Sequence, residues 1–427
     1  DVLANEVQAG SRRDLKYRGG GVQIYSWLIN SYDGMVGHYY CTKFLMTIPS
    51  RGALMKELVD VFSDFPDPRC QGKVKHRFID ILVIAVCAVI AGANAWTDIE
   101  QYGQLKKDWL GAFLPLKSGI PSHDTFRHCF SLLNPGLFER HFYQWVSRDV
   151  SSEKRAIIAI DGKSLRHSFD KKIEQSPLHV VSAFSVEKGL SLCQCAVDGK
   201  SNEIKAIPTL LSMLSLKGHL VTIDAMGCQR TIAQQLRESE ADYILSLKGN
   251  QGKTFSEAVD YFQQQQIAQK PYLKPDHDKF DDSHGRTVRR RGWVLPLTSE
   301  TKHLGSWPDI QALLVTETIR QEHYSDTVTS DFRYYLSSCQ DAPAFQLGAL
   351  RKHWAIENSL HWVLDVTFRE DDSRMRERIA TRIFAQLRKM ALNIVKRDTN
   401  SKLSLSARRK SAGWDNGYME ALLFNQF

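Results

Sequence analysis

The feature that most constrains this chain is a short apolar run that ends on an acid. Ala156 to Ile160 is rich in β-branched residues and continues directly into Asp161-Gly162. Such a run suits a buried core strand, and the Asp-Gly step marks where it emerges into a turn. A carboxylate at that point either shapes the turn or serves as a ligand at the strand's end. The arrangement then recurs: Leu220 to Ile223 is a second apolar strand, ending on Asp224 and a turn at Ala225 to Gly227.

A third acid, Glu357, lies in HWAIENSLHWVLD, where Trp354, Leu360 and Leu364 follow helical spacing. Two strand-end Asps and a helical Glu can meet at one end of a sheet. Such an all-oxygen donor set suits Mg²⁺ or Mn²⁺, with water and phosphate oxygens completing the shell. Two ions about 4 Å apart stabilise both the attacking and the leaving oxygen of an in-line phosphoryl transfer. His353 and His361 stand four residues to either side of Glu357, so all three share one helical face. No further Cys or carboxylate spacing supports zinc on the two histidines. Asp365, Glu370, Asp371 and Asp372 are rival candidates for the third position.

AIDGKSLRHS, IDAMGCQ, LSLKGNQG and RKHWAIENSLHWVLDVTFREDD occur here in one order. Together they resemble the DDE transposases of bacterial insertion sequences, in particular the H-repeat-associated group found beside Rhs elements. The resemblance runs from about residue 55 to the C-terminus. It implies an RNase H-like catalytic core with Asp161, Asp224 and Glu357 as the metal triad, holding two Mg²⁺ or Mn²⁺ ions. The implied reaction is metal-dependent phosphodiester cleavage and strand transfer, by water and then a DNA 3′-hydroxyl, without a covalent protein–DNA intermediate. The implied partners are double-stranded DNA, as element ends and target, and a second copy of the chain when bound. Many relatives carry a Tyr and an Arg before the Glu and a Lys after it; Leu350, His353 and Leu364 stand there instead. Two other readings remain open: a nuclease with the same site but no strand transfer, and a catalytically silent DNA-binding remnant.

At 427 residues and 43% hydrophobic content the chain can bury a large core across two or three domains. The net charge is +8, yet Arg374 to Lys410 alone holds 12 Lys/Arg against Glu377 and Asp398. That run reads as a solvated helix face or as a phosphate footprint, with Arg374, Arg376, Arg378 and Arg382 as the candidate contacts. The eight cysteines form no CxxC pair and no zinc spacing, and several sit in apolar runs. Reduced thiols of this kind point to the cytoplasm, and the resemblance adds a bacterial nucleoid association. The longest apolar run, Ile81 to Ala91, is too short for a bilayer and suits a buried helix, so no membrane partner is expected.

In chain order, residues 1–45 lack periodicity, contain Gly19-Gly20-Gly21, and read as a leader ahead of a start at Met46 or Met55. Residues 46–150 read as a helical N-terminal domain. Within it, Ser122 caps one helix and Asn134-Pro135 separates it from the next, compatible with a helix-turn-helix reader or a plain bundle. Residues 151–427 form the catalytic domain, of mixed α+β class, with strands at 156–161, 179–186, 190–197, 220–224 and 242–247. Helices fall at 203–216 and 229–239. KGNQGKT at Lys248 lacks the first glycine of a P-loop. The resemblance puts the Lys248 to Gln251 turn beside the active site, with Lys248 and Asn250 near DNA. Residues 254–330 read as an inserted β-rich subdomain. There Arg289, Arg290 and Arg291 beside Trp293 combine charge with a stacking surface, and Trp307 is a second candidate for an unstacked base.

Overall fold

The computed structural model describes residues 53–424, apart from short breaks at 151–152, 198–202, 270–272, 284, 299–300 and 325. The expected leader at 1–45 lies outside the described residues.

The chain begins with helices α1 (Ala53–Phe62), α2 (Phe78–Ala91), α3 (Trp96–Leu105), α4 (Lys107–Gly111), α5 (His123–Ser131) and α6 (Pro135–Val150). Every residue of α2 from Ile81 to Ile90 is fully buried, as its all-round apolar sequence requires. Among the described residues no single helix is long and apolar enough to cross a membrane. Ser122 accepts the Thr125 N–H at 3.3 Å and starts α5. Asn134 accepts the Leu137 N–H at 3.0 Å, so the residue that separates the two helices also caps the second. Helix α6 then packs on the catalytic sheet as well as on its helical neighbours.

The strands follow as β1 (Ile157–Leu165), β2 (Leu178–Ser185) and β3 (Leu190–Val197), then α7 (Glu203–Ser212), β4 (Leu220–Ile223), α8 (Arg230–Glu238), β5 (Asp242–Leu247) and α9 (Gly252–Ala268). Four more strands come next: β6 (His277–Ser283), β7 (Arg286–Pro296), β8 (Ala312–Glu322) and β9 (Val328–Ser337). All nine join one mixed sheet in the order β3-β2-β1-β4-β5-β9-β8-β7-β6. Only β1, β4 and β5 run parallel to their neighbours among themselves; the other pairs are antiparallel.

The strands of the expected β-rich insertion are part of this sheet. They do not form a separate one, because β9 hydrogen-bonds along β5 from Leu247–Tyr334 to Ile244–Ser337. Left alone, β5 would present an open row of backbone donors and acceptors, and β9 satisfies it. Residues Val328 to Arg333 of β9 continue past the end of β5, paired with β8 alone. Strands β6 to β9 thus make an arm that overhangs the end of the sheet where β1, β4 and β5 finish.

The chain closes with α10 (Pro343–His353), a π-helical turn (Glu357–His361), α11 (Trp362–Val366), α12 (Arg378–Lys396), α13 (Leu405–Trp414) and α14 (Asn416–Phe424). Helices α12 and α13 pack on α2, and α14 on α1. The first and last helices of the described chain are thereby held in one unit with the sheet. Thr222 of β4 meets His353 and Ser182 of β2 meets Lys389, so α10 and α12 cover one face. Helices α7 and α9 cover the other, through Glu203 against Gly162 and Phe262 against Trp293.

Candidate active site

Asp161 does not end its strand as expected, because β1 runs on to Leu165 beside β2, but the register of β1 and β4 still brings Asp161 and Asp224 together. Ile160 pairs with Ile223, and Asp161 and Asp224 are each the next residue. Neighbouring strands lie about 4.8 Å apart, so the acids emerge side by side at one end of the sheet. Asp224 caps the short turn that follows, accepting the Met226 N–H at 3.1 Å and the Gly227 N–H at 3.4 Å. Glu357 opens the π-helical turn on the face covered by α10 and α12. Single π-turns cost regular helix bonds and cluster at functional sites. This one is braced by Lys396 of α12, whose ammonium donates to the Ser359 carbonyl at 2.8 Å and the Gly189 carbonyl at 2.6 Å.

The two histidines flanking Glu357 fix the helix to the strands. His353 Nδ1 lies 2.8 Å from Thr222 Oγ1, two residues before Asp224. His361 Nδ1 lies 3.4 Å from Asp161 Oδ2. Burial works against the charge of Asp161, but the bond and charge of His361, the Gly162 N–H and the charge of His353 together hold its carboxyl below the usual range. Burial, then the Asp161 charge, then Glu203, push Asp224 up. Burial and the Asp161 charge likewise push Glu357 up, with His361 opposing. The three acids therefore share one electrostatic field.

Rivals for the third position are each engaged by a cation. Lys163 binds Asp365 and, at 2.7 Å, Glu370. Asp371 lies 3.3 Å from Arg166, and Asp372 lies 2.9 Å from Arg369. Among the described residues Asp161, Asp224 and Glu357 have no Lys or Arg partner. Like-charged carboxylates gathered without a fixed cation fit hard divalent ions.

One tighter group of possible ligands exists, Asp242, Cys339 and Asp341. It lies at the opposite end of the sheet, where Asp242 pairs with Leu220. Arg155 already fills it, donating to Asp242 at 2.7 Å and Asp341 at 2.5 Å, and Arg237 also binds Asp242. This is an ion-pair cluster that ties strand starts together.

Around Asp161, the roles of Gly162, Lys163 and Ser164 are not visible in the sequence. Lys163 fixes the acidic segment after α11. At Gly162 a Cβ would stand 2.5 Å from both Glu203 Oε1 and His179 Nε2, a buried ion pair beneath β1. Ser164 meets His179 Nδ1 from the other side at 2.9 Å. His179 lies on β2 and Glu203 begins α7, and the packing of α7 on β2 and β3 brings them together.

The remaining expected contacts divide. Asn250 donates to the Ala225 carbonyl at 2.8 Å, which sets the turn from exposed Lys248 to Gln251 against the Asp224 turn. Trp293 and Trp307 are core residues, 3% and 2% exposed, and the Trp293 indole N–H donates to the Leu273 carbonyl. Neither offers a face to a base; Trp293 points inward because alternate β7 residues pack on α9. Arg289 and Arg291 share that side, held by Asp278 at 2.6 Å and Glu317 at 2.5 Å, whereas Arg290 faces the other way, 3.8 Å from Asp281.

The basic run at 374–410 is not the continuous phosphate footprint its charge suggested. Arg382 binds buried Glu139 of α6 at 2.5 Å, and Arg397 binds Asp149. Lys389 donates to Ser182 at 2.9 Å and Gln194 at 2.5 Å, and Arg409 caps the end of α2 through the Val89 carbonyl at 2.7 Å. Arg378 donates to the Ser176 carbonyl at 2.8 Å. Arg374 and Arg376 remain exposed, the latter 3.7 Å from Asp170. The helix is central to the fold; Arg378, Arg382, Lys389 and Lys396 meet internal acceptors, while buried Arg388 stacks over Phe384.

Residues 152–394 match the family described as Transposase DDE domain, and residues 59–146 match the one described as DDE_Tnp_1-associated. The chain belongs to the DDE transposase family, in its H-repeat-associated group. A relative named "Putative transposase YncI" from Escherichia coli O157:H7 is 40% identical over 372 residues, 86% of this chain and 95% of its own length. "H repeat-associated putative transposase YhhI" from Escherichia coli strain K12 is 36% identical over 375 residues, covering 86% of this chain and 98% of its own. A third, "H repeat-associated putative transposase YbfD" from the same strain, is 40% identical over 249 residues, 58% of this chain and 96% of its own.

Proposed function

We propose that this chain is a metal-dependent DNA transposase with an RNase H-like catalytic core, in which Asp161, Asp224 and Glu357 hold two Mg²⁺ or Mn²⁺ ions. The strand order β3-β2-β1-β4-β5, antiparallel then parallel, supports the core assignment. One observation carries the site: Asp161 within β1 and Asp224 just past the end of parallel β4 stand at the same level, Glu357 lies on a braced π-turn over that face, and none has a Lys or Arg partner among the described residues. When bound, the ions would supply Lewis-acid stabilisation of the attacking and leaving oxygens of a phosphodiester.

The chain's own residues prepare that chemistry. His361 holds Asp161 ionised and oriented, and His353 anchors the Glu357 helix to β4. The Asn250 turn fixes the Asp224 loop, which leaves Lys248 exposed beside it for a phosphate. Asp161 being held low while Asp224 and Glu357 are pushed up means that a cation gains most by relieving the latter two. DNA carrying the element's terminal repeats, incubated with the protein and Mg²⁺, should be cleaved and then joined to a target, with the two steps scored separately. Asp224→Asn should bind the same DNA and lose cleavage by about 100-fold or more. Cleavage without joining would reduce the assignment to a nuclease, and wild-type-like cleavage by Asp224→Asn would refute the site.

A further inference from the structure

Alternation along β7 sorts the charges of the overhanging arm by face. Gly292 abuts Leu347 of α10, so Arg290 and Arg286, two and six positions away, lie on the α10 side. The register places Lys279 opposite Arg290, Arg320 opposite Val288, and Arg333 in the row of Thr316 and Gly292, all on that side. Arg351, in the last turn of α10, completes a set of six basic residues. The acids on the same side are Asp281, Asp331 and Glu322. On the α9 side the balance reverses: Arg289 and Arg291 meet Asp278, Asp282 and Glu317. Arg286, Arg320 and Arg351 are exposed and form no ion pair among the described residues. Burial and then the neighbouring Arg351 charge push the Arg290 guanidinium down, with Arg320 and Arg286 adding to it and Asp281 opposing. Six basic residues thus stand against three acids, two of which pair with Arg290 and Arg333, leaving a net positive face on the side of the sheet that carries Asp161 and Glu357.

We propose that this face of the arm, centred on Arg290, Arg320 and Arg351, is a phosphate-binding track that holds the backbone of DNA leading to the triad. The occupant follows from the chemistry: guanidiniums spread over β7, β8 and the end of α10 match a polyanion that presents several phosphates, and Arg binds each through a planar fork. Position adds to this, because the arm projects past the ends of β1, β4 and β5, where the acids emerge. Arg333, which lies over the exposed Trp354 ring at 5.7 Å, links the track to the Glu357 helix. The inference rests on the transposase reading but specifies which arginines touch DNA and which do not.

The test compares two sets of neighbours on the same strands. Binding of full-length protein to a short random-sequence duplex is followed by fluorescence anisotropy in EDTA, across a range of salt. Arg290→Gln/Arg320→Gln/Arg351→Gln should weaken binding and flatten the plot of log K against log salt by about 0.9 per lost phosphate contact, about 2.7 in all. Arg289→Gln/Arg291→Gln should leave the slope unchanged, and Lys at the first three positions should restore it. A triple Gln variant that melts like wild type yet keeps the wild-type slope overturns the inference and leaves the transposase reading standing. Equal flattening by the two sets overturns it as well, since face would then not matter. A wild-type protein that binds no duplex overturns both.

Discussion

Gly162 shows how closely the first acid is framed. The residue after Asp161 has no side chain because His179 and Glu203 occupy the space beneath it. A methyl there must displace a buried ion pair or shift β1, and overpacking of this kind typically costs about 1–3 kcal/mol. Gly162→Ala should therefore lower the urea midpoint and also slow cleavage, because Asp161 moves with its strand. If the variant retains wild-type stability and rate, the His179–Glu203 pair does not set the position of Asp161. At the same scale, the neighbours of Asp161 explain why one acid is held ionised while two are pushed up. That asymmetry comes from His361 and His353, which approach from the helix at i+4 and i−4 of Glu357.

Helix α12 shows what charge alone cannot tell about an element. Its sequence reads as a basic stripe, yet Lys389 is nearly fully buried between β2 and β3. Burial pushes its ammonium down to about 8, with the charge of Glu370 opposing. A lysine whose folded value lies below its unfolded one destabilises the fold while charged. That cost is fully present below about pH 8 and is relieved as the pH rises toward the unfolded value. Relative to Lys389→Met, wild type should thus gain about 2–3 kcal/mol of unfolding free energy between pH 7 and pH 10, measured by urea titration. A constant difference across that range would mean that the ammonium is solvated and the helix face exposed.

At the scale of the whole molecule, the sheet strands from Ile157 to Leu247 were legible because each apolar run ends in a turn residue and the helices between them keep their own period. Asp224 marks the end of β4 as its run suggested, whereas Asp161 lies inside β1, which continues to Leu165 because it pairs with β2 beyond the end of β4. The arm was legible as strands but not as part of the sheet, since nothing local in Val328 to Ser337 says that β9 will pair with β5. The roles of Trp293, Arg289 and Arg291 depended on which face of β7 they occupy, and that is settled only by α9 and α10. The cations of α12 depended on partners such as Glu139, more than two hundred residues away. Pairing over such distances leaves no periodic mark in the sequence.

The central claim is that Asp161, Asp224 and Glu357 form the divalent ion site, and Mn²⁺ binding to the full-length protein, followed by electron paramagnetic resonance, tests it most directly. Wild type should bind Mn²⁺, and Asp161→Asn, Asp224→Asn and Glu357→Gln should each weaken that binding by at least about 10-fold. Asp341→Asn, at the Arg155 cluster on the opposite end of the sheet, should leave it unchanged. Unchanged binding in the three triad variants, with loss in Asp341→Asn, would contradict the account and move the metal to the other end of the sheet.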